Sequence, residues 1–208
     1  MELEKKNKRR LGIMGGTFDP IHFGHLAVAE FVRSKFDLEK VVFVPAFCPP
    51  HKLTDNITAA EHRFAMVSAA IAWNSHFEAS KIEIGGNCPT YAGDTISTFK
   101  ETYGKESEIY FITGLDAVLT IINWDKSKTY PGLCNFIAAA RPGYNRVEIE
   151  KRIPQAFSPY VIIIEEPNLS ISSTEIRNRV KTAQPIDKMV PKVVMDYIYR
   201  MGLYSGNQ

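Results

Sequence analysis

Two histidines, His22 and His25, stand in the segment GGTFDPIHFGH, which spans residues 15–25 and follows a short apolar run. If a helix starts here, a spacing of three residues places both imidazoles on one face. The helix N-terminus adds free backbone N–H groups and the positive end of the helix dipole. The paired glycines before it let a ligand approach the backbone closely. These features together predict an anion site, for which phosphate is the natural ligand.

Three other interpretations of this segment compete with the anion site. The paired glycines are also typical of a plain turn between a strand and a helix. A pair of histidines is typical of a zinc site, but no third Cys, His or carboxylate is spaced to complete one. Each ring is also suited to a structural role, bonded to a backbone carbonyl. The patterns GxGxxG and GxxxxGK[ST] are absent from the chain, which argues against a dehydrogenase and against a P-loop enzyme.

A second candidate segment, ISSTEIR at residues 171–177, follows the last apolar run of a predicted sheet. Ser172 and Glu175 fit a capping box, which fixes the start of a helix. The hydroxyls of Ser172 and Ser173, the free N–H groups and Arg177 one turn further on are also suited to hold a phosphate tail. A well-capped helix and a phosphate site are compatible, and this segment alone favours neither.

Apolar runs alternate along the chain with stretches of helical periodicity. The runs that predict strands are residues 11–14, 41–44, 81–84, 108–113, 134–139 and 160–164. The stretches that predict helices are residues 25–36, 59–73, 94–103, 174–181 and 192–201. This alternation is typical of an α/β fold with a parallel sheet and helices on both faces. Ligands of such sheets bind at the carboxyl ends of the strands, where both candidate segments fall.

The composition is that of an ordinary globular protein: 208 residues, 45% of them hydrophobic and 23% charged. The net charge is +2, but the first ten residues carry +3, which leaves the rest of the chain slightly acidic. We therefore expect a flexible basic tail over residues 1–9 and a single domain over residues 10–208. A nucleic-acid partner is not expected, because such proteins usually carry a basic body.

The chain has no apolar window long enough to cross a membrane and no apolar stretch behind its basic start, so we expect a cytoplasmic protein without a membrane partner. A homo-oligomer is left open. The three cysteines, Cys48, Cys88 and Cys134, are odd in number and show no C-x-x-C spacing. They are expected to be free thiols of a reducing compartment rather than a disulfide framework or a zinc site.

The two candidate segments together resemble the HxGH nucleotidylyltransferase superfamily, and within it the bacterial nicotinate-nucleotide adenylyltransferases. The resemblance runs from about residue 11 to residue 204. Its further matches are Pro49-Pro50-His51-Lys52, Thr90-Tyr91, Asp94-Thr95, Gly114 with Asp116, Trp124, and Arg141-Pro142. It implies a Rossmann-like, doubly wound fold and adenylyl transfer from ATP to nicotinate mononucleotide. The products are deamido-NAD, in a step of NAD biosynthesis, and pyrophosphate. Mg²⁺ enters on ATP, with no metal ligand from protein side chains.

The resemblance also implies roles for individual residues. The catalytic residues would be His22, His25, Lys52 and Arg177. ATP would be bound by Gly15, Gly16, Thr17, Phe18, His25, Gly114, Asp116, Arg141, Ser172, Ser173 and Arg177. The mononucleotide would be bound by Asp19, His22, Lys52, Thr90, Tyr91 and Trp124. No general base is required, because a phosphomonoester with a second pKa of about 6 is already mostly dianionic at neutral pH.

Two departures from the family pattern bear on the preference between acid and amide substrates. Ala92 stands where the family often has a threonine, whose hydroxyl is suited to hold the nicotinate carboxylate. Asp125 follows Trp124 where an aromatic residue is common. A nicotinamide-mononucleotide adenylyltransferase is therefore the nearest alternative.

More distant alternatives are another adenylyltransferase of the superfamily and a non-catalytic nucleotide-binding regulator. Pantetheine-phosphate adenylyltransferases usually carry threonine at the position of His22. Cytidylyltransferases carry an Arg-Thr-Glu-Gly stretch that this chain lacks. Joint retention of His22, His25, Lys52 and Arg177 favours an enzyme over a regulator.

Overall fold

The computed structural model describes residues 8–48, 57–86, 88–140, 143–165, 167 and 169–206, without the side chains of residues 125, 126 and 146. Within them, one sheet has the strand order β3-β2-β1-β4-β5-β6, and every neighbouring pair is parallel. The strands are β1 Arg10–Gly16, β2 Lys40–Pro45, β3 Phe77–Ala79, β4 Glu108–Gly114, β5 Asn135–Ala139 and β6 Val161–Ile164. The predicted doubly wound parallel sheet is confirmed.

Helices cover both faces of this sheet. They are α1 Phe23–Lys35, α2 Ala60–Ile71, α3 Ala92–Tyr103, α4 Leu115–Ile122, α5 Arg146–Arg152, α6 Ser173–Lys181 and α7 Lys192–Arg200. Strand β2 shows why its run is continuously apolar: Val41 and Phe43 face the cluster formed with α1, α2, α6 and α7. Val42 and Val44 face the opposite cluster, formed with α3 and α4. A strand buried on both faces needs apolar residues at every position.

The third strand differs from its prediction. Residues 81–84 were expected to form it, but they lie in a turn in which the Ile84 N–H bonds the carbonyl of Lys81 at 2.8 Å. The strand is Phe77–Ala79, at the sheet edge and only three residues long. A strand this short shows no alternation of its own, so the longer apolar run after it was mistaken for it.

The cysteines also differ from their prediction. Cys48, in the segment after β2, and Cys88, in the segment before α3, form a disulfide bond. The two segments run side by side, because the Thr90 N–H donates to the carbonyl of Cys48 at 3.0 Å. Sequence spacing of 40 residues could not show this approach. Cys134 is a buried free thiol, and burial raises its pKa.

No helix in the described parts of the chain is long and apolar enough to cross a membrane. Most of the predicted basic tail lies outside the described residues. Of that tail, Arg9 forms an ion pair with Glu39 at 2.7 Å, just ahead of β1. Both partners are about half exposed, so this pair contributes little stability.

Candidate active site

A cleft of about 730 Å³ opens at the carboxyl ends of β1 and β4, where the order of the strands reverses direction. This is the place where ligands bind in doubly wound sheets. Its walls include the predicted site residues Gly15, Gly16, Thr17, Phe18, Asp19, His22, His25, Thr90, Gly114, Trp124, Ser172, Ser173 and Arg177. Two predicted residues, Asp116 in the first turn of α4 and Tyr91 just before α3, are not among the lining residues. Lys52 and Arg141 lie outside the described residues.

The turn between β1 and α1 depends on its two glycines. A Cβ atom at Gly15 would lie 2.5 Å from Cζ of Phe111, and one at Gly16 would lie 3.1 Å from the ring of Phe18. Phe18 itself is buried and has φ of +51°, a conformation that side chains other than glycine rarely adopt. The Phe18 ring then meets the His25 ring edge-on, with centroids 5.0 Å apart. The glycines thus allow the turn to pack closely against the start of α1.

His22 and His25 cap α1 reciprocally. His22 is the N-cap residue, and its Nδ1 accepts the backbone N–H of His25 at 3.4 Å. The Nδ1 of His25 accepts the backbone N–H of His22 at 3.3 Å. The two rings stack, with centroids 3.7 Å apart and planes 23° from parallel. This is a capping box in which histidines take the places that Ser or Thr and Glu or Gln usually hold.

Gly24 between them is necessary for the stack. A Cβ atom there would lie 3.0 Å from both Cε1 and Nδ1 of His22, closer than most side-chain contacts. The His25 residue is partly buried, and the resulting desolvation, followed by repulsion from His22, holds the pKa of His25 well below its usual value of 6.5. In the unliganded protein His25 is therefore a neutral hydrogen-bond donor.

The N-terminus of α6 is fastened to the same turn. Ser172 caps the helix by accepting the Glu175 N–H at 3.2 Å, as predicted. The Glu175 carboxylate, however, pairs with Arg179 at 2.9 Å instead of completing the predicted box. Ser173 Oγ donates to the carbonyl of Pro20 at 2.9 Å.

Arg177 completes this contact between α6 and the turn. Its Nη1 donates to the carbonyl of Asp19 at 2.8 Å, and its Nη2 donates to Thr174 Oγ1 at 3.4 Å. The guanidinium is a lining group of the cleft. Two helix N-termini, those of α1 and α6, therefore face one cleft together with an arginine and two imidazoles. This arrangement suits a chain of phosphates.

An aromatic side chain, Trp124, also lines the cleft. Its ring meets the ring of Tyr91, which lies behind the lining, edge-on at 5.6 Å, with planes at 89°. Ala92, the first residue of α3, contributes to the wall at the position where a threonine is common in the family. The side chain of Asp125 lies outside the described atoms, so its predicted influence on the substrate carboxylate stays a prediction.

The sequence analysis missed two charged residues near the cleft. Glu83 lines the cleft, and Thr95 Oγ1 donates to its carboxylate at 2.6 Å. Burial raises the pKa of Glu83. Arg63 is 1% exposed and donates to the carbonyls of Thr17 and Thr58 at 2.7 and 2.8 Å.

A signal for Arg63 was present in the sequence. It shares helical spacing with the buried apolar residues Met66, Val67 and Ala70 of α2, which puts an arginine on the core side of the helix. No comparable pattern marks Glu83, which lies in the segment that was predicted to be a strand.

Across the described ranges, no group of three or more His, Cys, Asp or Glu side chains is arranged to hold a metal ion. The carboxylate of Asp19, which lines the cleft, accepts hydrogen bonds from Tyr204 and from the Thr58 N–H. A Mg²⁺ ion brought in on phosphate oxygens fits this donor set better than an ion held by a protein cage, because Mg²⁺ is usually bound through one or two carboxylates and substrate phosphates.

These features define a Rossmann-type nucleotidyltransferase. They are the parallel sheet with this strand order, the cleft suited to phosphates where the strand order reverses, and the histidine pair at the start of the first helix. The model of the cytidylyltransferase-like family matches residues 13–179. Two relatives named as probable nicotinate-nucleotide adenylyltransferases align over nearly the whole chain. The chain belongs to the nicotinate-nucleotide adenylyltransferases of the cytidylyltransferase-like family, which confirms the resemblance drawn from the two segments and makes the protein an enzyme.

The first of these relatives, from Thermoanaerobacter sp. (strain X514), is 47% identical over 202 residues, which is 96% of both chains. The second, from Moorella thermoacetica, is 48% identical over 198 residues, which is 94% of this chain and 91% of the relative. A solved structure of Plasmodium falciparum nicotinic acid mononucleotide adenylyltransferase complexed with NaAD has the same fold. Its TM-score is 0.75 at 24% identity, over 94% of this chain and 97% of that one.

Proposed function

We propose that the chain transfers the adenylyl group of ATP to nicotinate mononucleotide, releasing pyrophosphate and forming deamido-NAD for NAD biosynthesis. The observation that carries this proposal is the stacked histidine pair at the start of α1, which faces the N-terminus of α6 and Arg177 across one cleft. The names of the relatives point to the same reaction. We place the reaction in the cytoplasm, because its phosphorylated substrates do not cross membranes unaided.

The reaction needs positioned charge more than a protein nucleophile. A phosphate oxygen of the mononucleotide attacks the α-phosphorus of ATP in line, the new P–O bond forms, and the bond to the β-phosphate oxygen breaks. Pyrophosphate leaves with the bonding electrons. In such a transfer, catalysis rests on orientation and on donors aimed at the developing charge. We assign His22 and His25 as the donors to the phosphates that are joined.

The leaving pyrophosphate is assigned to α6. Arg177 and the hydroxyl of Ser172, which both line the cleft, are proposed to bind it, and the backbone N–H groups at the helix start would add further donors. The hydroxyl of Ser173 is already used on the carbonyl of Pro20, so Ser173 contributes through its backbone N–H. Mg²⁺ carried by ATP would supply the remaining neutralisation of phosphate charge.

The nucleoside parts are assigned to the remaining walls. Gly15, Gly16 and Thr17 bring backbone to the ATP, with Phe18 and Gly114 beside them. Asp116, at the start of α4, is proposed for a ribose hydroxyl and Arg141 for ATP. On the acceptor side, we assign Asp19, Thr90, Tyr91 and Trp124 to the mononucleotide, with Trp124 stacked on the pyridine ring, and Lys52 to its phosphate.

The test is pyrophosphate release by the purified protein with Mg²⁺ and ATP, measured side by side with nicotinate mononucleotide, nicotinamide mononucleotide and phosphopantetheine. We expect a strong preference for nicotinate mononucleotide. Preference for the amide would leave the reaction type unchanged, but it would make the protein a nicotinamide-mononucleotide adenylyltransferase, the alternative that Ala92 suggested. A folded sample that binds ATP and turns over none of the three would contradict the proposal and favour a regulator.

A further inference from the structure

The carboxylate of Asp19 is held by groups of the protein itself. It is 4% exposed, Oδ1 accepts the hydroxyl of Tyr204 at 2.7 Å, and Oδ2 accepts the backbone N–H of Thr58 at 3.4 Å. Bonds of this kind between a hydroxyl and a carboxylate are among the stronger hydrogen bonds in proteins. The turn before the histidines is thus tied to a residue that follows the last helix.

The environment of Tyr204 keeps its hydroxyl a hydrogen-bond donor. It packs against the core cluster beside α7, and burial together with the Asp19 charge raises its pKa. The phenol is therefore protonated at neutral pH and available as a donor. Its hydroxyl can donate only one hydrogen bond, and the carboxylate of Asp19 receives it at 2.7 Å.

Arg63 holds the same turn from another side. Its guanidinium bonds the carbonyl of Thr17 and the carbonyl of Thr58, the residue whose N–H reaches Asp19. Residues 17–19 are therefore fixed from α2 and from the segment after α7. Phe18 can keep its left-handed backbone conformation because the hydrogen bonds to Thr17 and Asp19 fix the chain on both sides of it.

A shift of this turn would move several catalytic groups at once. His22 follows it by three residues, Arg177 bonds the carbonyl of Asp19, and the Phe18 ring contacts His25. We propose that Tyr204 is a positioning residue, whose hydroxyl fixes the Asp19 carboxylate and through it the placement of the His22–His25 pair. The kinetic test of this role depends on the proposed adenylyl transfer, whereas the spectroscopic test does not.

The test compares Tyr204→Phe with a matched control, Tyr197→Phe. Tyr197 also joins the C-terminal part to α2, but its hydroxyl bonds His62 Nδ1, at 2.9 Å, rather than the carboxylate of Asp19. Each variant loses one phenolic hydroxyl and keeps its ring. We expect Tyr204→Phe to lower kcat by roughly tenfold to a hundredfold, as small misplacements of reacting groups do. Tyr197→Phe is expected to leave both kcat and the KM for ATP within about twofold of the wild type.

The second readout is the NMR resonance of the His25 Cε1 proton in the unliganded protein. Because the Phe18 ring lies against His25, displacement of the turn shifts this resonance in Tyr204→Phe and leaves it in place in Tyr197→Phe. Equal kcat values and an unmoved resonance would overturn the proposal. A loss of kcat in Tyr204→Phe that is fully explained by the fraction of unfolded protein, as measured by thermal unfolding, would also overturn it. A wild type inactive on all three mononucleotides would refute the proposed function instead, and the resonance alone would then decide the role of Tyr204.

Discussion

His22 and His25 hold each other in place: the Nδ1 atom of each ring accepts the backbone N–H of the other residue. A neutral imidazole whose Nδ1 accepts a hydrogen bond carries its proton on Nε2. Starting α1 in this way therefore fixes the tautomer of both rings. Both residues also line the cleft, so one pair of side chains caps the helix and borders the proposed phosphate site.

These two duties can be separated by substituting His22 with serine. Serine is among the best N-cap residues, so His22→Ser is expected to unfold within about 1 kcal/mol of the wild type. It lacks the imidazole donor, and turnover should fall by about a hundredfold or more. Thermal unfolding and pyrophosphate release measure the two effects. Full turnover in His22→Ser would remove His22 from the catalytic residues.

The lowered pKa of His25 predicts a loss of stability in acid. In the unfolded chain His25 titrates near its usual 6.5, whereas desolvation and His22 keep it neutral in the folded protein. As pH falls, the unfolded state binds more protons, so stability that is present above pH 6.5 is lost as pH falls through the lowered pKa.

The matching variant is His25→Gln, because glutamine at this helix position still accepts the backbone N–H of residue 22. Urea unfolding from about pH 7.5 to about pH 5 should show a smaller loss of unfolding free energy in His25→Gln than in the wild type. Identical pH profiles would mean that His25 is not the group responsible.

Arg177 is predicted to matter mainly for ATP. Arg177→Gln removes a charged donor from the cleft, and the KM for ATP should rise by roughly tenfold or more, as hydrogen bonds to charged groups contribute about 1.5–3 kcal/mol. Arg179→Gln is the control, because Arg179 lies on the same helix but pairs with Glu175. It should change the KM less than about twofold. Steady-state kinetics with varied ATP distinguish them, and equal effects would contradict the assignment of Arg177.

Stacking on the pyridine ring can be tested with the two tryptophans of the chain. Trp124→Ala is expected to raise the KM for nicotinate mononucleotide by roughly fivefold to a hundredfold, since stacking on an aromatic side chain contributes about 1–3 kcal/mol per base. Trp73, 68% exposed at the end of α2, is the matched control. Trp73→Ala should leave both KM values unchanged. A KM for ATP that rises as much as that for the mononucleotide would contradict the stacking role.

The fold could be predicted where local pattern and burial agree. Strands β1, β2 and β4 were found because they are buried on both faces and therefore read as unbroken apolar runs. Helix α4 was missed because it begins at Leu115, directly after β4, and is itself mostly apolar, so that only Gly114 marks the change. The whole of β3 was misplaced because it is only three residues long, and the run at residues 81–84 that was predicted in its place lies in a turn.

The site could likewise be predicted only where its residues form a local motif. The histidine pair and the serine segment are local motifs, and both were predicted with their positions in the fold. The contacts that fix them are not local: Tyr204 meets Asp19 across 185 residues and Arg177 reaches the same residue across 158. Only packing brings such partners together, and a single sequence carries no record of it.

The contact between α6 and the turn that follows β1 also has a consequence for the synthesis of the protein on the ribosome. Segments nearer the N-terminus leave the ribosome first and begin to fold before the rest is made. A nascent chain that has exposed β1 and α1 already contains both histidines, yet Ser173 and Arg177 have still to be translated. We therefore expect catalytic competence to arise late in translation, after the chain has extended beyond α6. Incomplete translation products should then be unable to consume ATP.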